Sequence, residues 1–185
     1  MKRLDEPRLA WGITGSGHFL RECLDLACSL PNVDLFLTRA GEEVLQMYGH
    51  RLDGLREDFR VFRDNTASAA PVGLFYHGQY HGVVVAPATS NTVAKCVLGL
   101  SDTLVTNIFA QAGKCRLPTI VFACDTAPEM ETESPKDWVT VYPRPVDLAH
   151  TGALARMPGV QVVETLAGLR SAVEAHLAAL VRPAP

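Results

Sequence analysis

Residues 82–107 read "GVVVAPATSNTVAKCVLGLSDTLVTN". The opening "GVVVAPA" (82–88) is nearly all apolar and does not alternate, the pattern of a strand covered on both faces. Four small hydroxyl and amide residues follow: Thr89, Ser90, Asn91 and Thr92. Helical spacing then resumes with Val93, Val97 and Leu100, and two helical pieces are expected over 91–99 and 101–112 with a break near Gly99. A single hydroxyl is enough to cap a helix. Four polar residues in a row between a buried strand and a helix point instead to a ligand.

Working outward, "RLAWGIT" (8–14), "VDLFLT" (33–38) and "PTIVFAC" (118–124) are further buried strands, and 138–142 and 160–163 are weaker ones. Helices are expected at 19–30, with Leu20, Cys23, Leu24 and Ala27 on one face, at 40–49, stopping at a glycine, and at 166–181. In the last, Leu166, Leu169, Val173, Leu177 and Leu180 recur at helical spacing. Residues 50–71 are polar and read as irregular, and the tail "RPAP" as frayed. Strand–helix alternation predicts one α/β domain over residues 1–185, a three-layer flavodoxin-like Rossmann fold with a mostly parallel sheet.

Composition agrees with a globular chain. Of 185 residues, 48% are hydrophobic and 20% charged, and the net charge is -3. No long Lys/Arg block is present, which argues against nucleic acid and membrane surfaces as partners. No apolar run reaches the ~20 residues of a membrane span. The opening "MKRLDEPRLAWG" lacks the apolar stretch of a secretory signal. The cysteines (23, 28, 96, 115 and 124) are odd in number and contain no C-x-x-C pair. Free thiols in a cytoplasmic protein are expected, with no metal site. Cys96 reads as core.

In an open parallel sheet, ligands bind beyond the carboxyl ends of the strands. The first strand runs into Gly15, Ser16, Gly17 and His18, where glycines and a helix start make an anion site, most simply for phosphate. The second runs into Thr38 and Arg39, whose hydroxyl and guanidinium suit the same ligand. After the fourth comes "CDTAPE", with Cys124 and Asp125. The dinucleotide fingerprint G-x-G-x-x-G is incomplete, because Leu20 stands at its third glycine and no acid follows the second strand. A mononucleotide such as FMN fits better. His18 reads either as a ligand contact or as a first-turn surface residue. Asp125 reads as a proton donor, a ring contact or a helix cap. Arg144, in "YPRP", reads as a substrate or interface residue or as a surface turn.

"APATSNTVAK" with "GLSDTLVTN" resembles the signature of the homo-oligomeric FMN-binding flavoproteins. The version here is most similar to their archaeal-type branch, that of the archaeoflavoproteins and the flavin-dependent dihydromethanopterin reductases. The resemblance spans "WGITGSGH" through "VTVYPRPVDL". It implies that Ala88, Thr89, Ser90, Asn91 and Thr92 line the flavin ring. It further implies that Ser16 and Thr38 bind the FMN phosphate, with Gly15 and Gly17 shaping the first loop. It implies an oxidoreductase reducing a dihydropterin with electrons from a separate donor, in a homo-oligomer built from trimers, up to a dodecamer. Two departures separate the chain from the cysteine decarboxylases of the superfamily. Gly73 falls near the place of their catalytic histidine, with His77 and His81 offset from it, and "FACDTAPE" replaces their Pro-x-Met-Asn motif. An electron-transfer flavoprotein, or a decarboxylase or flavin prenyltransferase, remains the alternative.

Overall fold

The computed structural model describes residues 7–66 and 68–181. The "RPAP" tail and the first six residues lie outside the described part. The elements in chain order are β1 (Arg8–Ile13), α1 (Leu20–Ser29), β2 (Val33–Leu37), α2 (Arg39–Met47), α3 (Leu52–Asp58), β3 (Arg60–Arg63) and a 3-10 helix (Ala70–Phe75). There follow β4 (Tyr80–Ala88), α4 (Ser90–Leu98), α5 (Leu104–Lys114), β5 (Thr119–Ala123), β6 (Met130–Glu133), β7 (Trp138–Val141), α6 (Pro145–Leu154), β8 (Val160–Val163) and α7 (Leu166–Val181).

Six strands form one sheet in the order β3-β2-β1-β4-β5-β8, every neighbouring pair parallel. Without β3 this is the flavodoxin-like order, and β3 extends it at the β2 edge. The inner strands are buried on both faces, as their largely apolar runs require. Leu9, Trp11, Ile13, Leu35 and Val84 pack on one side with Leu20, Leu24, Leu45, Leu169 and Val173 of α1, α2 and α7. Ala10, Phe36, Val83, Val85 and Val121 pack on the other with Val105, Ile108 and Ala112 of α5. Cys96 lies in this second core, as read from the sequence.

Three stretches differ from the sequence reading. Residues 50–71 are not irregular: they hold α3, β3 and the start of the 3-10 helix. β3 is only four residues, "RVFR", yet it alternates, with Val61 packed on one core and Phe62 on the other. The weak strand at 138–142 exists, but it pairs antiparallel with β6 in a separate ribbon. α6 went unread; Pro145 opens it, and the Asp147 carboxylate accepts the Arg144 backbone N–H at 3.1 Å. In α7, Leu169 and Val173 are buried while Leu180 is half exposed.

Candidate functional site

Strand order reverses between β1 and β4, so the crevice outside their carboxyl ends is where a ligand is expected. A cavity of about 740 Å³ opens there. Three helices begin on its wall. Thr38 caps α2 and accepts the Gly41 N–H at 2.9 Å, Thr89 caps α4 and accepts the Thr92 N–H at 3.3 Å, and Thr103 caps α5 and accepts the Thr106 N–H at 3.1 Å. Each cap satisfies one first-turn donor and leaves others without an intrahelical acceptor. The positive ends of these helices therefore face one volume, a setting that favours an anion.

Side-chain charge adds to this. The Arg39 Nε donates to the Asp64 carbonyl at 2.9 Å, and among the described residues nothing binds its two terminal nitrogens. The Lys95 ammonium is held by Asp102 at 2.8 Å. Arg39 thus offers the cavity its unpaired cation. Gly15 is glycine for a steric reason: a Cβ there would stand 2.7 Å from the Ala40 Cβ, so the first loop can lie against the first turn of α2.

Of the residues singled out in the sequence, Gly15, Thr38, Arg39, Thr89, Asn91 and Thr92 line this cavity. Ser16, Gly17, His18, Ala88, Ser90 and Asp125 do not. Most of them form a network that ties together the ends of β1, β4 and β5. The Cys124 thiol donates to the Ser16 hydroxyl at 3.1 Å, and the Cys124 N–H donates to the Ala88 carbonyl at 3.0 Å. Ser90 donates its hydroxyl to the Asp125 carboxylate, and Thr151 of α6 donates to the Asp125 carbonyl at 3.0 Å. Burial, with the Asp147 charge, raises the Asp125 carboxyl above the ordinary range, and Arg144 opposes this. Asp125 caps no helix, since a loop and β6 follow it.

His18 is not a surface residue. It is 3% exposed, its Nδ1 lies 3.0 Å from the Thr132 hydroxyl of β6, and its ring stacks on Phe122. Burial lowers its pKa, so it is neutral at pH 7. Burial also pushes the Cys124 thiol up to about 12 and makes it a poor nucleophile. Arg144 is exposed and pairs with Asp147 at 2.8 Å.

The sequence reading missed half of the cavity wall. Asp64, Thr66 and Ala69 come from the stretch read as irregular, Lys95 from α4, Ser101, Asp102 and Thr103 from the α4–α5 connection, and Asn107 from the first turn of α5. One signal was available: "SDT" before an apolar run is a helix start, and that start borders the same crevice as Thr89.

The volume lies within the ~300–1,000 Å³ of cofactor pockets. Helix termini, a guanidinium and several hydroxyls suit a phosphorylated, hydroxyl-rich ligand. Fold and site together define a doubly wound α/β protein that holds a phosphate-bearing cofactor where its strand order reverses. The chain belongs to the Flavoprotein family, whose profile matches residues 1–181. An uncharacterized protein of Methanocaldococcus jannaschii is 34% identical over 179 residues, 92% of this chain and 96% of that one. The dihydromethanopterin reductase (acceptor) of Methanosarcina mazei is 40% identical over 142 residues, 69% of this chain but 59% of that protein. The crystal structure of Burkholderia xenovorans DmrB in complex with FMN, described as a cubic protein cage for redox transfer, matches with a TM-score of 0.89. Identity there is 53%, over 95% of this chain and 98% of that one.

Proposed function

We propose that the chain is an FMN-dependent oxidoreductase that reduces dihydromethanopterin or a related dihydropterin to its tetrahydro form, with electrons from a separate donor. The observation that carries this reading is the convergence of three helix N-termini and the Arg39 guanidinium on one cavity, in a member of the Flavoprotein family. Thr38, Arg39 and the first turn of α2 would hold the phosphate, with Gly15 giving it room. Thr89, Asn91 and Thr92 would face the ring, where an amide both donates and accepts. When bound, FMN supplies hydride chemistry. The chain's own residues bind and orient it, and keep Cys124 and His18 uncharged beside the site.

Decarboxylation is supported less. The resemblance puts Gly73 near the place of the decarboxylases' histidine. His81 lies near the amino end of β4, at the opposite pole of the sheet from the cavity, paired with His176 at 2.8 Å. A homo-oligomer built from trimers is part of the proposal. The exposed Trp138, Val139, Tyr142 and Val146 suit contact with a second copy.

The test is anaerobic reduction of the flavin-loaded protein, then addition of dihydropterins while flavin absorbance is followed. Reoxidation matched by tetrahydropterin formation is expected; reoxidation by redox proteins and by no pterin would favour an electron carrier. In parallel, Asn91→Ala should weaken FMN binding by about 0.5–1.5 kcal/mol, one hydrogen bond. Unchanged fluorescence quenching by that variant would remove Asn91 from the ring contacts.

A further inference from the structure

The loop after β5 presents a carboxylate that the binding site leaves unused. Asp125 is partly buried, and among the described residues its carboxylate binds the Ser90 hydroxyl alone and pairs with no cation. Arg144, whose charge reaches it, is committed to Asp147 through two hydrogen bonds of 2.8 Å. The backbone around Asp125 is fastened at three points. The Cys124 N–H donates to the Ala88 carbonyl at 3.0 Å, the Thr151 hydroxyl to the Asp125 carbonyl at 3.0 Å, and the Thr126 N–H to the Met130 sulfur at 3.1 Å. The loop thus holds one carboxyl against the first residue of α4. Ser90 stands between Thr89 and Asn91, which both line the cofactor cavity. The pair therefore lies at the rim of that cavity, on its β5 side, and both residues keep some contact with water.

We infer that Ser90 and Asp125 supply the proton of the reduction: the Ser90 hydroxyl protonates the substrate nitrogen, and the Asp125 carboxyl restores the proton to Ser90. The inference rests on the dihydropterin reading above. A dihydropterin keeps one C=N bond in its partly reduced ring. Its carbon takes hydride from the reduced flavin and forms the new C–H bond. The π pair moves to nitrogen, which forms an N–H bond as the Ser90 O–H bond breaks. The Asp125 proton passes to the Ser90 oxygen, and water at the rim recharges the carboxylate. The flavin loses two electrons, and the substrate gains one hydride and one proton. The other titratable groups around this loop are unsuited to the task. Burial pushes the Cys124 thiol up to about 12, and His18, beside the same strand ends, is neutral at pH 7. Arg144 is a permanent cation, and its hydrogen bond keeps the Asp147 carboxyl below the ordinary range, so Asp147 is ionised. Asp125 alone shifts the useful way. Burial, and then the Asp147 charge, raise its carboxyl, while Arg144 opposes them, so it holds its proton nearer to neutral pH than an exposed carboxyl does.

The experiment follows single-turnover reoxidation of the anaerobically reduced, FMN-loaded protein by dihydropterin across a pH series. It uses the wild type, Asp125→Asn and Ser90→Ala, with melting curves to establish that each is folded. The wild-type rate should fall as pH rises through a break above the ordinary carboxyl range. Asp125→Asn should lower the rate about a hundredfold and abolish that break, the effect of losing a general acid. Ser90→Ala should lower the rate and keep the break. Two readouts need no turnover. FMN affinity, from fluorescence quenching, should stay within about twofold in Asp125→Asn, less than one lost hydrogen bond. The infrared band of a protonated carboxyl should disappear from the wild type at the pH of the kinetic break and be missing from Asp125→Asn. An Asp125→Asn variant that keeps the break or the wild-type rate, that loses FMN, or that retains the infrared band would overturn the inference and leave the dihydropterin reading intact. So would wild-type kinetics in Ser90→Ala. A wild type that reduces no dihydropterin would overturn both.

Discussion

Gly17 has no side chain because Tyr48 occupies the place one would take. A Cβ at residue 17 would stand 1.8 Å from the Tyr48 hydroxyl oxygen and 2.1 Å from the carbon that bears it. That hydroxyl passes over the glycine and donates to the Glu133 carbonyl of β6 at 2.9 Å. Gly17 thus helps to dock the ribbon and does not line the cavity. Gly17→Ala should destabilise by about 1–3 kcal/mol, the usual range for overpacking. Adding Tyr48→Ala should recover part of that loss, because contacting residues couple. Strictly additive urea midpoints in the double variant would show that the clash is absent. The contrast with Gly15 is instructive. Both glycines follow one strand and look alike in sequence, but what each makes room for comes from α2 and its end, at residues 40 and 48. Thr38, Thr89 and Asn91 were legible as candidates because position after a buried strand is itself the signal. The engagement of Ser16 by Cys124, 108 residues away, has no local trace.

At the level of elements, β1 to β4 are fastened at their amino ends by one carboxylate. Asp34 on β2 is fully buried. It accepts from Arg8 Nε at 2.7 Å, from the Tyr80 hydroxyl at 2.8 Å and from Arg60 Nε at 3.0 Å, with a second Arg60 contact. These partners lie on β1, β4 and β3, so a single residue joins four neighbouring strands. Asp34→Ala should cost about 3 kcal/mol, the lower end for breaking a buried pair, because both guanidiniums retain some solvent. Urea denaturation measures it, and a loss under about 0.5 kcal/mol, the level of an exposed pair, would contradict the clamp. The same cluster explains why β3 escaped the sequence reading. Its two arginines make "RVFR" look like loop, yet Arg60 is held by Asp34 and Arg63 by Glu42. β1, β2, β4 and β5 were legible because burial on both faces leaves largely apolar runs, interrupted in β2 by Asp34. α6 was not, since its capping pair, Arg144 and Asp147, reads as surface charge.

For the molecule as a whole, the parallel sheet has two poles. The cavity lies at the carboxyl pole, and the Asp34 clamp and the His81–His176 pair lie at the other. In that pair one ring N–H donates a hydrogen bond to the unprotonated nitrogen of the other, 2.8 Å away, so a further proton is resisted. Burial, and then His176, lower the His81 pKa to about 4, and burial lowers His176 as well. The sign follows from proton binding: between the ordinary histidine value near 6.5 and about 4, the unfolded chain holds more protons than the folded one. Stability from the pair is complete above pH 6.5 and is lost as pH falls through that window. His18 and His50 shift in the same direction. His176→Gln should therefore flatten the decline of the urea midpoint between pH 7.5 and about 4.5. Parallel curves for the variant and the wild type would exclude the pair as the acid-sensitive element.

The docked ribbon makes the protein its own optical probe. The chain holds two tryptophans. Trp11 is wholly enclosed in β1 and gives its indole hydrogen to the Ala86 carbonyl at 2.8 Å, whereas Trp138 is 52% exposed at the start of β7, its ring 5.5 Å from Phe19. One indole emits from hydrocarbon and the other from water. The blue part of the spectrum reports melting of the sheet, and the red part, open to soluble quenchers, reports whether the ribbon has left Phe19.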